Sequence, residues 1–256
     1  MGYSVTQRIK NMKQPRGGYI NPKQFEQIQL FDDVRDLHEN ENVSAVLIGI
    51  AVDYLTRFND GLNKREAFKI SLQGAANIGE VEQAEALLSE VNGLDDQSVI
   101  NAIKLAGFDV VFRVGPMFYK PVSDIEPDAD TVENVQIMVS RARYFFSEYG
   151  PTVLDGVTFS GGYTETVSSG DGDFTTSDTL WDFKVTGNKI TKNHTLQLIM
   201  YWIMGLHSIH EEFHDIKYVG IFNPRLNVVY RLAVNQVPEE VIAEIETDVI
   251  GYKKLL

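Results

Sequence analysis

Near Gly150 the chain changes its hydrophobic period, and that switch limits the available folds more than any other feature of the sequence. From about Pro22 to Gly150 apolar residues recur at helical spacing. They do so in KQFEQIQLFDDVRDLHE (23–39), NVSAVLIGIAVDYLTRFND (42–60), NKREAFKISLQGAANI (63–78), EVEQAEALLSEV (80–91) and ENVQIMVSRARYFFSEYG (133–150). Asn, Gly or Asp signals close each segment. FDVVFRVGPMFYKPV (108–122), with Gly115, Pro116 and Pro121, reads as an extended excursion or loop. After Gly150 come short runs rich in β-branched and aromatic residues: PTVLDGVTF, YTETVSSGDGDFT, TLWDFKVT, IKYVGIFN and NVVYRLAVN. One helix, TKNHTLQLIMYWIMGLHSI (191–209), interrupts these strands, and PEEVIAEIETDVIGYKKL (238–255) makes a last one. The order predicts an α+β (α/β) fold, a small mixed sheet flanked by helices, with a helical region and N-terminal arm over 1–149 packing on the core over 150–256.

The 256 residues suffice for a substantial core. The absence of cysteine excludes disulfides, thiolate zinc sites and cysteine nucleophiles, and fits a cytoplasmic location. The start carries basic residues but no apolar run after them, so no secretory leader is expected. The longest apolar stretches, SAVLIGIAVDYL and LQLIMYWIMGL, fall short of the roughly 20 residues that span a bilayer, so no membrane partner is expected. A net charge of −13 argues against a broad basic surface coating nucleic acid, although one groove can differ from the whole. The most basic stretch, RIKNMKQPRGGYINPK, with Arg8, Lys10, Lys13, Arg16 and Lys23, reads either as a loose solvated arm or as a phosphate-contacting one.

The segment SGDGDFTTSDTLWDFKVT (169–186) poses a chemical question. With the turn centred between Ser177 and Asp178, antiparallel pairing sets Asp173 opposite Asp182. Directly paired residues have Cβ atoms about 4.5–5.5 Å apart, and like charges so placed repel unless something positive lies between them. Such a pair suits a hard divalent cation, Mg²⁺ or Mn²⁺. Alternation puts Trp181, Phe183 and Val185 on one face and Leu180, Asp182 and Lys184 on the other. A slip of one residue would turn one acid away. The bland alternative is a solvent-facing Asp182–Lys184 pair on an edge strand, with Asp173 capping a turn. In the helix that follows, Gln197 and Tyr201 stack on one face, four residues apart.

Together, Gly170 and Asp173, the Asp182-Phe183-Lys184 triplet, and Gln197 with Tyr201 resemble the G-x-x-D, (D/E)-x-K and Q-x-x-x-Y motifs of the PD-(D/E)XK nuclease superfamily, RecB-like branch, over about residues 150–235. The resemblance implies a restriction-endonuclease-like core and metal-dependent cleavage of nucleic acid, DNA in the first instance. It implies Asp173, Asp182 and the Phe183 carbonyl as metal ligands, Lys184 as the group that orients or deprotonates water, and Gln197 and Tyr201 as positioning residues. An upstream helix motif of that branch matches Gly49 to Asp53, which makes Asp53 a further candidate ligand. Asp53 could equally pair with Arg57 one turn on. Arg225, after Asn223-Pro224, and Arg16 are candidate substrate contacts. A nuclease-fold protein that binds nucleic acid or a protein without cutting is the alternative.

HEEFH (210–214) also fits the H-E-x-x-H pattern of zinc peptidases, with Glu211 as base. The strand-like IKYVGIFN starts two residues after His214, where that scaffold needs its helix to continue. Neither a phosphate-binding G-x-x-x-x-G-K-[ST] loop nor a G-x-S-x-G elbow is present.

Overall fold

The computed structural model describes residues 2–30 and 35–253. In chain order its elements are β1 (Tyr3–Ser4), α1 (Val5–Lys10), β2 (Glu26–Gln29), α2 (Ala45–Asn59), α3 (Lys64–Ala67), α4 (Lys69–Ile78), α5 (Val81–Ser89), α6 (Asp96–Val114) and α7 (Ala129–Tyr149). Then follow β3 (Leu154–Thr158), β4 (Val167–Ser169), β5 (Asp171–Thr175), β6 (Thr179–Phe183), α8 (Lys192–Leu206), β7 (Tyr218–Asn223), β8 (Val228–Ala233) and α9 (Glu239–Glu244). The fold is α+β, as the period switch predicts. Its mixed sheet has six strands in the order β2-β8-β7-β6-β5-β3, and β1 pairs separately with β4.

Within the six-stranded sheet only β6 and β7 are parallel, and α8 makes the crossover between them, as a parallel pair requires. The two are therefore interior strands with helices over both faces. On one face Leu180, Val219 and Ile221 pack against Leu196, Ile199 and Ile203 of α8. On the other, Phe174, Trp181 and Phe222 close around Phe145 of α7, whose ring stacks on Phe222 at 4.4 Å and meets Trp181 edge-on at 4.8 Å. Trp181 also fixes its neighbour in the register, Gly220. A Cβ there would lie 2.3 Å from the indole, so only glycine fits. The helical half has its own core from α2, α4, α5, α6 and α7. Helix α7 serves both cores, with Val135 and Met138 in the helical one and Phe145 under the sheet.

Two expectations are corrected. Segment 23–39 is not a helix. Pro22–Gln24 form a 3₁₀ turn and Glu26–Gln29 an edge strand antiparallel to β8, while residues 31–34 lie outside those described. The run from Phe108 to Val114 is the last part of α6, not a loop. Burial of Phe108 and Val111 and the Asp109–Arg113 pair one turn apart hold it helical until Gly115. The N-terminal arm packs on the core, with Val5, Ile9, Ile20 and Phe25 buried, and is not the loose solvated arm of the alternative reading. The last segment is α9 followed by a π turn over Ile245–Ile250; residues 254–255 of it lie outside those described. Among the described residues no helix is long and apolar enough to cross a membrane.

Candidate active site

The hairpin between β5 and β6 pairs Phe174 with Trp181 and Thr175 with Leu180, and its turn closes through Thr176 N–H to the Thr179 carbonyl at 2.9 Å. The turn is centred on Ser177 and Asp178 as expected, and the paired register ends at Phe174 and Trp181, one residue short of Asp173 and Asp182. Beyond Phe174 the ladder opens. The Phe183 N–H donates not to a strand carbonyl but to Asp173 Oδ2, at 2.6 Å. Asp173 thus closes the end of the hairpin from within.

Asp182 is only 5% exposed and lies on an interior strand, so it is not half of a solvent-facing pair on an edge. Lys184 Nζ donates to its Oδ1 at 3.0 Å and lies 2.8 Å from its Oδ2. Oδ2 is nonetheless sealed from solvent without a directed hydrogen bond. The Lys184 ammonium offsets the charge of this buried carboxylate without a directed bond to Oδ2, which leaves that oxygen open to a further donor or cation. Burial first, and the neighbouring Asp182 carboxyl second, push the Asp173 carboxyl well above the ordinary carboxylate range, against the Phe183 N–H that favours its ionised form.

Helix α2 supplies the opposite wall. Its Asp53 lines two adjoining hollows of about 350 and 620 Å³ together with Asp173 and Phe183, and Lys184 lines the larger. Asp53 is bound as the i,i+4 alternative anticipated, accepting from Arg57 Nε at 3.0 Å. The same guanidinium reaches across to both oxygens of Asp155 at 2.7 and 2.6 Å. Burial works against the charge on Arg57, but Asp53 and Asp155 outweigh it and raise its pKa further. Two pairs at the margins, Arg113 with Asp109 and Arg143 with Asp60, balance internally. That leaves four carboxyl groups, of Asp53, Asp155, Asp173 and Asp182, facing two cations, Arg57 and Lys184, a formal deficit of two positive charges. Among the described residues no three His, Asp or Glu side chains converge into a ready-made cation cage. The donor set suits a hard cation held by Asp173, Asp182 and main-chain oxygen, and Asp182 Oδ2 is the buried acceptor it would complete.

Gln197 and Tyr201 pair as their spacing implies, Gln197 Nε2 donating to the Tyr201 hydroxyl at 3.0 Å. The buried Tyr201 ring stacks on Phe159, and burial raises its pKa. Gln197 lines a hollow of about 280 Å³ with Lys184 and His194. Gly170 is needed where it stands, because a Cβ would lie 2.7 Å from Val5 and 3.3 Å from Tyr201.

Arg225 is not at the cleft. Its guanidinium is committed to Glu41 at 2.9 Å, and Asn223 Oδ1 accepts from the Arg225 N–H as a turn does. Arg16 sits exposed on the Pro15–Gly18 turn and lines neither hollow beside Asp53. HEEFH does not form the α-helix a zinc peptidase needs. Glu211–Asp215 is a 3₁₀ turn preceded by an extended His210, and at three residues per turn His210 and His214 no longer share a face.

Three cleft residues have no motif to announce them. Arg57 stands out in the sequence only as a partner for Asp53. Arg113 lines the larger hollow from α6, steadied by the fully buried Asp109, which also accepts from the Tyr54 hydroxyl. His194 joins Lys184 from the first turn of α8. Comparison with protein-family models, with curated proteins and with solved structures found no match to this chain.

Proposed function

We propose that the cleft hydrolyses phosphodiester bonds of nucleic acid, DNA in the first instance, with Mg²⁺ or Mn²⁺, on a core of the PD-(D/E)XK type. One observation carries this reading: Asp173, which accepts from the N–H of the residue after the buried Asp182, lines a groove between α2 and the sheet together with Lys184, the partner of Asp182. A bound divalent ion would supply a water of lowered pKa and offset the charge growing on the phosphate, with Asp173, Asp182 and the Phe183 carbonyl to hold it and Asp53 within reach from α2.

The chain's own groups divide the remaining work. Asp182 keeps the Lys184 ammonium in the floor of the cleft, where it can hold the attacking water or donate to a phosphate oxygen as negative charge builds. Arg57, engaged by Asp53 and Asp155, and the more exposed Arg113, engaged by Asp109, add positive charge to the helical wall. Gln197 and Tyr201 brace the side of the cleft behind Lys184.

Incubation with single- and double-stranded DNA and RNA in Mg²⁺, Mn²⁺ or EDTA tests the proposal. Cleavage should require metal and fall about 10²–10³-fold in Lys184→Ala. Metal-dependent cleavage untouched by that substitution would reject the assignment. A second reading, binding without cutting, is favoured by the Arg57 clasp on Asp53, which leaves only two acids for an ion. It predicts oligonucleotide binding with no product in any metal.

A further inference from the structure

The groove does not stop at Lys184. The hollow that Lys184 shares with His194 and Gln197 also holds Lys10 and Asn193, and through these two it opens into a hollow of about 670 Å³ lined by Lys13 and Lys192. Among the described residues no carboxylate lines either hollow. Lys10, Lys13 and Lys192 are exposed, and among the described residues none pairs with an acid. In a chain of net charge −13, three unpaired lysines along one groove form a local reversal of sign. The other end, with Asp53, Asp60, Asp155 and Asp173, has the opposite character.

The basic end is also rigidly built. Val5 and Ile9 sink α1 into the core beside α8. Gln14 Nε2 donates to Asn193 Oδ1 at 2.7 Å, and Thr195 Oγ1 donates to the Ile20 carbonyl at 2.7 Å, so the arm is tied to the first turn of α8 at two points. His194 Nδ1 accepts from the Thr191 N–H, which leaves Nε2 as the protonated nitrogen and a donor at the groove. Burial and the nearby Lys184 hold His194 below its ordinary pKa, in keeping with that neutral form. The start of α8 adds its positive end to the same place.

We propose that the N-terminal arm and α8 form a phosphate track, on which Lys10, Lys13 and Lys192 grip successive phosphates of one nucleic-acid strand and feed it to Lys184. The track rests on the nuclease reading of the cleft and names the part of the molecule that holds the substrate. The shared chemistry is a phosphodiester backbone, whether of a free strand or of one strand in a duplex.

Fluorescence anisotropy with a labelled 20-nucleotide DNA, single-stranded and as duplex, titrated in EDTA over a range of KCl, tests the track separately from cleavage. The triple variant Lys10→Ala, Lys13→Ala, Lys192→Ala should bind at least tenfold more weakly near 100 mM salt. Its slope of log affinity against log salt should flatten by about 2 for a single strand, about 0.7 for each phosphate that a lysine no longer neutralises. A triple variant of equal net charge, Lys69→Ala, Lys120→Ala, Lys217→Ala, lines none of these hollows and should bind like the parent. Whichever oligonucleotide shows the larger difference identifies the form that occupies the track. Superimposable melting curves verify that the exposed lysines are not needed for folding. Equal affinity and slope in parent and first triple variant would overturn the track while leaving any metal-dependent cleavage, and the nuclease reading, standing. A parent that neither binds nor cuts any oligonucleotide would remove both.

Discussion

On the nuclease reading, the two faces of β6 divide structure from chemistry. On the α7 face Trp181 and its neighbours Phe145, Phe174 and Phe222 make a dry aromatic cluster. On the α8 face Asp182 is also buried but keeps an oxygen without a hydrogen bond and a lysine at its side. The strand's period of two separates these roles by one residue, so a rigid hydrophobic anchor sits directly behind each candidate reactive group. Stability and activity should therefore respond to different substitutions in the same five-residue strand and its supports.

The sharpest break in this comparison is Asp182→Asn, which should reduce metal-dependent cleavage to background while leaving the thermal midpoint unchanged or higher, because a repulsive pair of carboxyls is relieved. Phe145→Ala tests the other face. It should cost about 3–5 kcal/mol in denaturant unfolding, with the surviving folded fraction still able to cut. A smaller effect is expected from pH. Because the folded pKa of Asp173 is raised, its contribution to stability is complete below the ordinary carboxylate pKa and is lost as the pH rises through the folded value. The metal-free protein should thus lose stability between about pH 4 and about pH 7. Mg²⁺ should raise the melting temperature more above that window than below it, and Asp173→Asn should flatten both trends. Parallel pH profiles for parent and variant would remove Asp173 from the site. The smallest change belongs to Gln197→Ala, about tenfold in rate, as for a group that steadies the cleft without touching the reacting atoms.

The hairpin was legible because its register depends on local quantities, a polar four-residue turn and a period of two. The Asp53–Arg57 pair was legible because helix spacing alone brings the two together. Glu26–Gln29 was not. With Ile28 as its sole strongly apolar residue, its pairing is decided by β8, two hundred residues away. Phe108–Val114 misled because its valines favour strands in isolation, whereas tertiary burial keeps them in α6. Only half of the lysine groove was legible: Lys10 and Lys13 stand in the basic stretch whose alternative reading was a phosphate-contacting arm, whereas Lys192 stood apart from it. Lys10 and Lys192 are brought together by the packing of α1 on α8, which no local pattern announces.

Helix α7 has a consequence for how the molecule comes apart. Its N-terminal turns are embedded among the helices and its later turns beneath the strands, so neither hydrophobic region can melt without stripping cover from the other. Heating should produce one calorimetric transition, and amide protons in α7 should exchange with solvent no faster than the slowest in either half.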